Sequence, residues 1–262
     1  MRDIKKYTCA LKKSIDKELS RKYGFGCVTY YSKGSHEDMD WTLFNKSANA
    51  ICLAFEETEW QNISDFYDLR QRGIDIEKTM FASTNNINTH KGLIFLQLFL
   101  AYSYVYEKKW KDLENFIKTF ASPLLKDYKT EFKAMFWDNN GLRDIRNYPL
   151  TGYKEIISIT NYIYNKDISD TSLTLYLIAN VDDTTTFHRS NLDTLRYVQN
   201  KASNIADIKD PDIYQDKLEE LNNYYISNNI SSGGIADLFT TIRTLEFLRK
   251  DFDGKNLSKK NK

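Results

Sequence analysis

The chain has only three histidines, and each stands in a short polar cluster flush against an apolar helical run. The clusters are Gly34-Ser35-His36-Glu37-Asp38-Met39-Asp40, Asn88-Thr89-His90-Lys91-Gly92 and Asp182-Asp183-Thr184-Thr185-Thr186-Phe187-His188-Arg189. A further one, Ser231-Ser232-Gly233-Gly234-Ile235-Ala236-Asp237, lacks histidine but is placed the same way. Each offers recognisable chemistry. Free amides at the start of a helix favour an anion, and Lys91 adds a point charge beside them. His90 supplies a donor or a proton shuttle, and Gly92 lets a group approach the backbone closely. Asp182 and Asp183 suit Mg²⁺, a hard cation that keeps phosphate and water among its ligands, while Arg189 can fork a phosphate. Asp38 or Asp40 suits a general base or a metal ligand, with His36 as its partner. Gly233 and Gly234 expose amides that cradle phosphate, and Asp237 follows one turn later. Every cluster also has a plainer reading as a capped helix with solvated charges. No P-loop lysine follows the glycines, and there is no His-Asp dipeptide of the kind used by all-α metal phosphohydrolases.

These clusters must be positioned by helices. Ile4–Tyr23 has Tyr7, Leu11, Ile15 and Leu19 near helical spacing with lysines opposite. Asp40 caps a predicted helix through Glu56. Helical periodicity continues over Asn62–Arg72 and Asp75–Ser83. Thr89–Glu107 is apolar nearly all round, which predicts a helix surrounded by others. Further helices are predicted at Lys109–Phe120, Pro123–Phe136, Thr151–Tyr164, Ser169–Asn180, Leu192–Ala206, Pro211–Tyr225 and Gly234–Lys250. Cys27–Tyr31 is β-prone but short and reads as an extended loop. The expectation is an all-α, single-domain multi-helix bundle of about ten helices spanning 1–252. The lysine- and asparagine-rich stretch 253–262 is expected to be a disordered basic tail.

Composition supports this. With 41% hydrophobic and 14% aromatic residues, the chain can build a sizeable core, and only 10 glycines and 3 prolines punctuate it. Lys and Arg number 37 against 36 Asp and Glu, so no basic nucleic-acid footprint is visible. The cysteines Cys9, Cys27 and Cys52 lack metal-type spacing and fit a reducing compartment. The longest apolar stretch, Leu93–Ala101, is too short for a bilayer span, and no signal core opens the chain. The expected location is the cytoplasm, with no membrane and no nucleic-acid partner.

The order and spacing of the clusters resemble the triphosphoribosyl-dephospho-CoA synthase family, which makes the prosthetic-group precursor of citrate lyase and related malonate decarboxylases. The family's Gly-Ser/Ala-His-x-Asp-Met segment is matched by Gly34 to Met39, and its Asn-Thr-His-Lys-Gly-x-Ile-Phe hallmark by Asn88 to Phe95. Its Val-Asp-Asp/Ser-Thr-Asn-x-x-His/Tyr-Arg segment is matched by Val181 to Arg189, and its Ser-Pro-Gly-Gly-Ser-Ala-Asp-Leu segment by Ser231 to Leu238. The chain departs from the pattern at Leu19 to Cys27, which lacks the usual Pro-Lys-Pro-Gly-type run. Thr185, Ser190, Ser232 and Ile235 also replace the usual Asn, Gly, Pro and Ser.

The resemblance implies transfer of the 5-triphosphoribosyl group of ATP to the ribose 2′-hydroxyl of dephospho-CoA, with release of adenine. This is glycosyl transfer through an oxocarbenium-like transition state, for which paired acids and bases are the tools. On this reading Asp38 or Asp40 is the base, His36 its partner and His90 the donor near the leaving adenine. Asn88, Lys91, Gly92, His188, Arg189, Gly233 and Gly234 hold ATP phosphates, and Asp182, Asp183 and Asp237 hold Mg²⁺. The departures leave two other readings open: an enzyme of the same fold that glycosylates another acceptor or hydrolyses a nucleotide, and a non-catalytic nucleotide-binding helical protein.

Overall fold

The structure, a computed structural model, describes residues 1–131, 137 and 141–253. In chain order the helices are α1 (Ile4–Leu19), α2 (Trp41–Glu57), α3 (Phe66–Ser83), α4 (Lys91–Val105), α5 (Leu113–Phe120), α6 (Asp127–Thr130), α7 (Asn147–Leu150), α8 (Lys154–Tyr164), α9 (Asp170–Asn180), α10 (Thr184–His188), α11 (Leu192–Ala206), α12 (Pro211–Ser227) and α13 (Gly233–Phe252). Among the described residues there is no strand, only an isolated bridge between Thr29 and Ser32. The all-α expectation is therefore met. The predicted tail beyond Asp253, and the part of the predicted Pro123–Phe136 helix from residue 132 on, lie outside the described residues. Within 122–130 that helix is a 3₁₀ turn, Ser122–Lys126, followed by the short α6.

Local chemistry explains most helix starts. Asp3, Asp40, Asp65, Ser169, Asp183, Asn191 and Asp210 each accept a backbone N–H of the helix they precede. The two helices expected across Asn62–Ser83 are a single α3, preceded by a 3₁₀ turn at Trp60–Asn62. Gly73 does not break it, because a Leu98 methyl packs where a Cβ would stand, 2.8 Å away. Tertiary packing thus outweighs the weak helix propensity of glycine. The short α10 had no counterpart in the sequence reading.

Two helices form the centre. α4 is buried almost all round, and α13 packs against α1, α4, α8, α9 and α10. They run parallel, since Gly92 meets Asp237, Gln97 donates to Thr241 Oγ1 (3.0 Å) and Tyr104 meets Phe252. Gln97, the polar break in the apolar run, also accepts the Tyr7 hydroxyl at 2.6 Å, so its burial is fully compensated. Parallel packing has one consequence for function: the amino ends of α4 and α13 open at the same place. Among the described residues no helix is long and apolar enough to cross a membrane.

Candidate active site

A cavity of about 520 Å³ opens where these helix ends meet, a size that suits a nucleotide-sized ligand. Its wall takes residues from all four polar clusters, among them His36, His90, Asp183, Arg189, Gly234 and Asp237. Segments up to two hundred residues apart therefore share one space.

Arg189 ties the first cluster to the third. Its guanidinium donates to the Ser35 carbonyl (3.0 Å) and to His36 Nδ1 (3.1 Å). A guanidinium can only donate, so Nδ1 is the acceptor and the proton of a neutral ring sits on Nε2, which faces Ser231 Oγ at 3.3 Å. Burial and the Arg189 charge together push the His36 pKa down to about 4, against a smaller opposing pull from Asp38. At neutral pH His36 is an uncharged donor, not an acid.

The second cluster begins α4. Its cap position is His90, which makes no side-chain capping bond, while Asn88 Oδ1 accepts the Lys91 N–H at 3.2 Å. His90 is buried, with Nδ1 2.8 Å from Ser47 Oγ and its ring edge against Phe44. Burial, with a contribution from Lys12, lowers its pKa to about 3, so this imidazole is also neutral. Lys91 lies exposed at the mouth, 3.1 Å from Glu77 of α3.

Two glycines admit carboxylates to the helix starts. A Cβ on Gly92 would stand 2.1 Å from Asp237 Oδ2, and one on Gly234 would stand 2.6 Å from Asp183 Oδ1. Asp183 caps α10 through Thr185 N–H (3.0 Å), accepts Gly234 N–H of α13 (3.1 Å) and accepts the Thr186 hydroxyl (2.8 Å). Despite these donors, burial raises its pKa to about 6. Asp237 is raised well above the ordinary carboxylate range, by burial first and then by the charges of Asp183 and Glu18. Glu18 is raised too by burial, against the pull of its ion-pair partner Arg21. The floor is thus acidic and under-neutralised, while Lys91, Arg143 and Arg189 stand at an exposed, cationic rim. That distribution suits a polyanion accompanied by a cation.

The structure does not bring all of the expected residues together. Asp40 does not line the cavity: its carboxylate caps α2, accepting from Thr42 and Leu43, both at 3.0 Å. Hydrogen bonds to Thr42 and Leu43 hold its pKa below the usual range, as a cap requires. His188 also lies outside the cavity wall, its ring against Trp137 and Phe187. Asp182 reaches the cavity but is engaged by Arg196 at 2.8 Å. Among the described residues no group of three acidic, histidine or cysteine side chains is gathered to hold a metal ion, so Asp182, Asp183 and Asp237 are not one preassembled ligand set. Asp38, Asn88, Lys91, Gly92, Arg189, Gly233 and Gly234 all border the cavity.

The structure adds residues that the clusters did not flag. Arg143, Asp144 and Tyr148 line one wall. Asp144 is buried and held by Arg146 (2.8 Å) and the Tyr128 hydroxyl (2.6 Å), while Arg146 and Arg70 share Asp127. This network fastens the wall to α3. Glu18, Cys27 and Val28 also line the cavity: Cys27 ends the segment that departs from the family pattern, and the other two flank that segment. Cys27 is buried with Sγ near Ser231 and Ser232, and burial raises its pKa to about 11, so it is no nucleophile.

Comparison with known proteins agrees with this constellation. The family described as ATP:dephospho-CoA triphosphoribosyl transferase matches residues 4–255. The chain is 25% identical over 260 residues to the 2-(5''-triphosphoribosyl)-3'-dephosphocoenzyme-A synthase of Haemophilus ducreyi, covering 81% of this chain and 79% of that one. It is 26% identical over 267 residues to a protein of Acinetobacter calcoaceticus named as a probable synthase of the same kind, covering 91% and 88%. For the similarly named protein of Streptococcus mutans the figures are 27% over 281 residues, with 91% and 94% covered. No solved structure matches. A helical bundle whose four motif clusters meet in one cavity, matched from end to end at low identity, is a divergent enzyme of this type, and the chain belongs to the ATP:dephospho-CoA triphosphoribosyl transferase family.

Proposed function

We propose that the chain moves the 5-triphosphoribosyl group of ATP onto the ribose 2′-hydroxyl of 3′-dephospho-CoA and releases adenine, supplying a precursor of the kind citrate lyase needs. The observation that carries this reading is the single cavity with an acidic floor, a cationic rim and two neutral imidazoles. The acceptor oxygen bonds to the anomeric carbon as the bond from that carbon to adenine breaks. Asp38 takes the hydroxyl proton, the triphosphate stays on the transferred sugar, and an equal proton ends on adenine. His90 donates a hydrogen bond to the departing base. A neutral ring polarises the base without the cost of holding a charge in a buried pocket. Lys91 and Arg189 meet phosphate oxygens with the α4 and α13 amides near Gly92 and Gly234.

Mg²⁺, or another divalent cation, fits the floor, because the buried Asp183 and the half-buried Asp237 have no cationic partner among the described residues. Bound there with the triphosphate, it would neutralise both the acids and the phosphates.

A second reading keeps the donor and changes the acceptor. It is favoured by Cys27 in the wall, since the Leu19 to Cys27 segment that supplies it is the one that departs most from the family pattern. One assay separates the two. With ATP and Mg²⁺, adenine release that requires dephospho-CoA, with the matching mass gain on it, supports the first. Release with water or another acceptor supports the second. No release from folded protein that binds ATP rejects both.

A further inference from the structure

Ser47 lies in α2, outside all four clusters, and is completely buried. Buried serines within helices commonly donate back to the carbonyl four residues earlier. Ser14 and Ser103 do so, to Ala10 (2.8 Å) and Phe99 (2.7 Å). Ser47 does not: its oxygen lies 2.6 Å from Thr89 Oγ1, which donates to it, and 2.8 Å from His90 Nδ1. A hydroxyl has one proton to give. Thr89 donates to the Ser47 oxygen, and among the described residues Nδ1 is the only acceptor within reach of the Ser47 proton, so that proton goes to Nδ1. Nδ1 is then an acceptor, and the ring proton of neutral His90 sits on Nε2. Among the described residues Nε2 has no hydrogen-bond partner, and His90 borders the cavity. The Phe44 contact, with ring centroids 4.9 Å apart, and the His90 N–H on Met80 Sδ (3.2 Å) hold the residue in place.

We propose that Ser47 and Thr89 are positioning residues: the ordered hydroxyl chain from Thr89 through Ser47 to His90 Nδ1 sets the Nε2–H tautomer and aims that N–H into the cavity as the donor to the leaving base. The assignment of the leaving base rests on the transfer reaction above; the tautomer does not. The arrangement replaces the carbonyl or carboxylate that more often fixes a functional histidine. A carboxylate there would stabilise a charged ring; two hydroxyls orient the ring and leave it uncharged.

The test has a spectroscopic and a kinetic arm. With three histidines in the chain, ¹⁵N imidazole shifts at neutral pH are assignable by single substitution. The expected spectrum places the His90 proton on Nε2 in the unliganded protein, and Ser47→Ala shifts the ring toward a mixture of tautomers. Ser47→Ala is expected to lower kcat about tenfold or more with KM for ATP within about twofold. At the half-buried neighbour, Thr89→Val behaves likewise and Thr89→Ser restores wild-type kcat and spectrum, which keeps the test alive if Ser47→Ala does not fold. A His90 proton on Nδ1 in the wild type, or a tautomer unchanged by Thr89→Val, overturns the proposal. A correct tautomer in a protein that releases no adenine leaves the relay standing and removes the transfer reading instead.

Discussion

Asp183 shows how one residue can serve both scaffold and site. Its carboxylate joins α10 to α13, yet burial raises its pKa to about 6, against about 3.9 for an unfolded aspartate. The folded state therefore binds the proton more tightly, and its stabilising contribution is complete below about pH 4. It is lost as pH rises towards 6, costing on the order of 3 kcal/mol beyond that. Asp183→Asn keeps the acceptor for Thr185 and Gly234 N–H but cannot ionise. Urea unfolding should show the variant gaining stability relative to wild type, by up to roughly 3 kcal/mol, between pH 4 and 7; a difference that stays flat with pH would refute the buried-charge account. At Gly92 the constraint is steric. Gly92→Ala places a methyl 2.1 Å from Asp237 Oδ2, so the carboxylate must move. Fold should persist, since alanine favours helix, while kcat/KM falls by about two decades; unchanged turnover would remove Asp237 from the site.

At the scale of the element, helix starts do two kinds of work here. Asp40 and Asp65 cap α2 and α3 away from the cavity, whereas Asp183 caps α10 and Asn88 accepts the first N–H of α4 where these helices open onto it. Asp40→Ala should cost about 1 kcal/mol in unfolding free energy through lost capping and leave kcat within about twofold. Loss of turnover well beyond the loss of folded protein would return Asp40 to the reaction. The Asp40 cap is legible in the sequence because a short polar side chain before an apolar periodic run has a local mechanism. The unity of α3 is not, since Gly73 is tolerated only because Leu98 of another helix fills the space. Nor is the place of His188 outside the cavity wall, against the rings of Trp137 and Phe187.

For the whole molecule, parallel packing of α4 and α13 gathers the acids at the floor and the cations at the rim. Such a separation of charge is costly while the cavity is empty and favourable when a polyanion with its cation fills it. Mg²⁺ and ATP together should therefore raise Tm more than either alone, with a gain approaching about 2.7 kcal/mol at a hundredfold excess over Kd. Chelation should reverse it, and Asp237→Asn should abolish the cation-dependent part. Equal stabilisation by ATP with and without the cation would place the metal elsewhere.

By itself the sequence determined the helical class, most helix starts and the four polar clusters whose residues line one cavity, because periodicity, capping and residue type act over a few neighbours. It also determined family membership, through the order of the motifs. Only the tertiary structure decided which acids line the cavity, that Asp40 caps while Asp183 both caps and lines, and that Glu18 and Arg143 join the wall. Those outcomes depend on which helices pack side by side, and so on burial and on hydrogen-bond partners supplied from distant parts of the chain. A charged residue has the same letter in solvent as on a cavity floor; its surroundings set its proton affinity and hence what it can do.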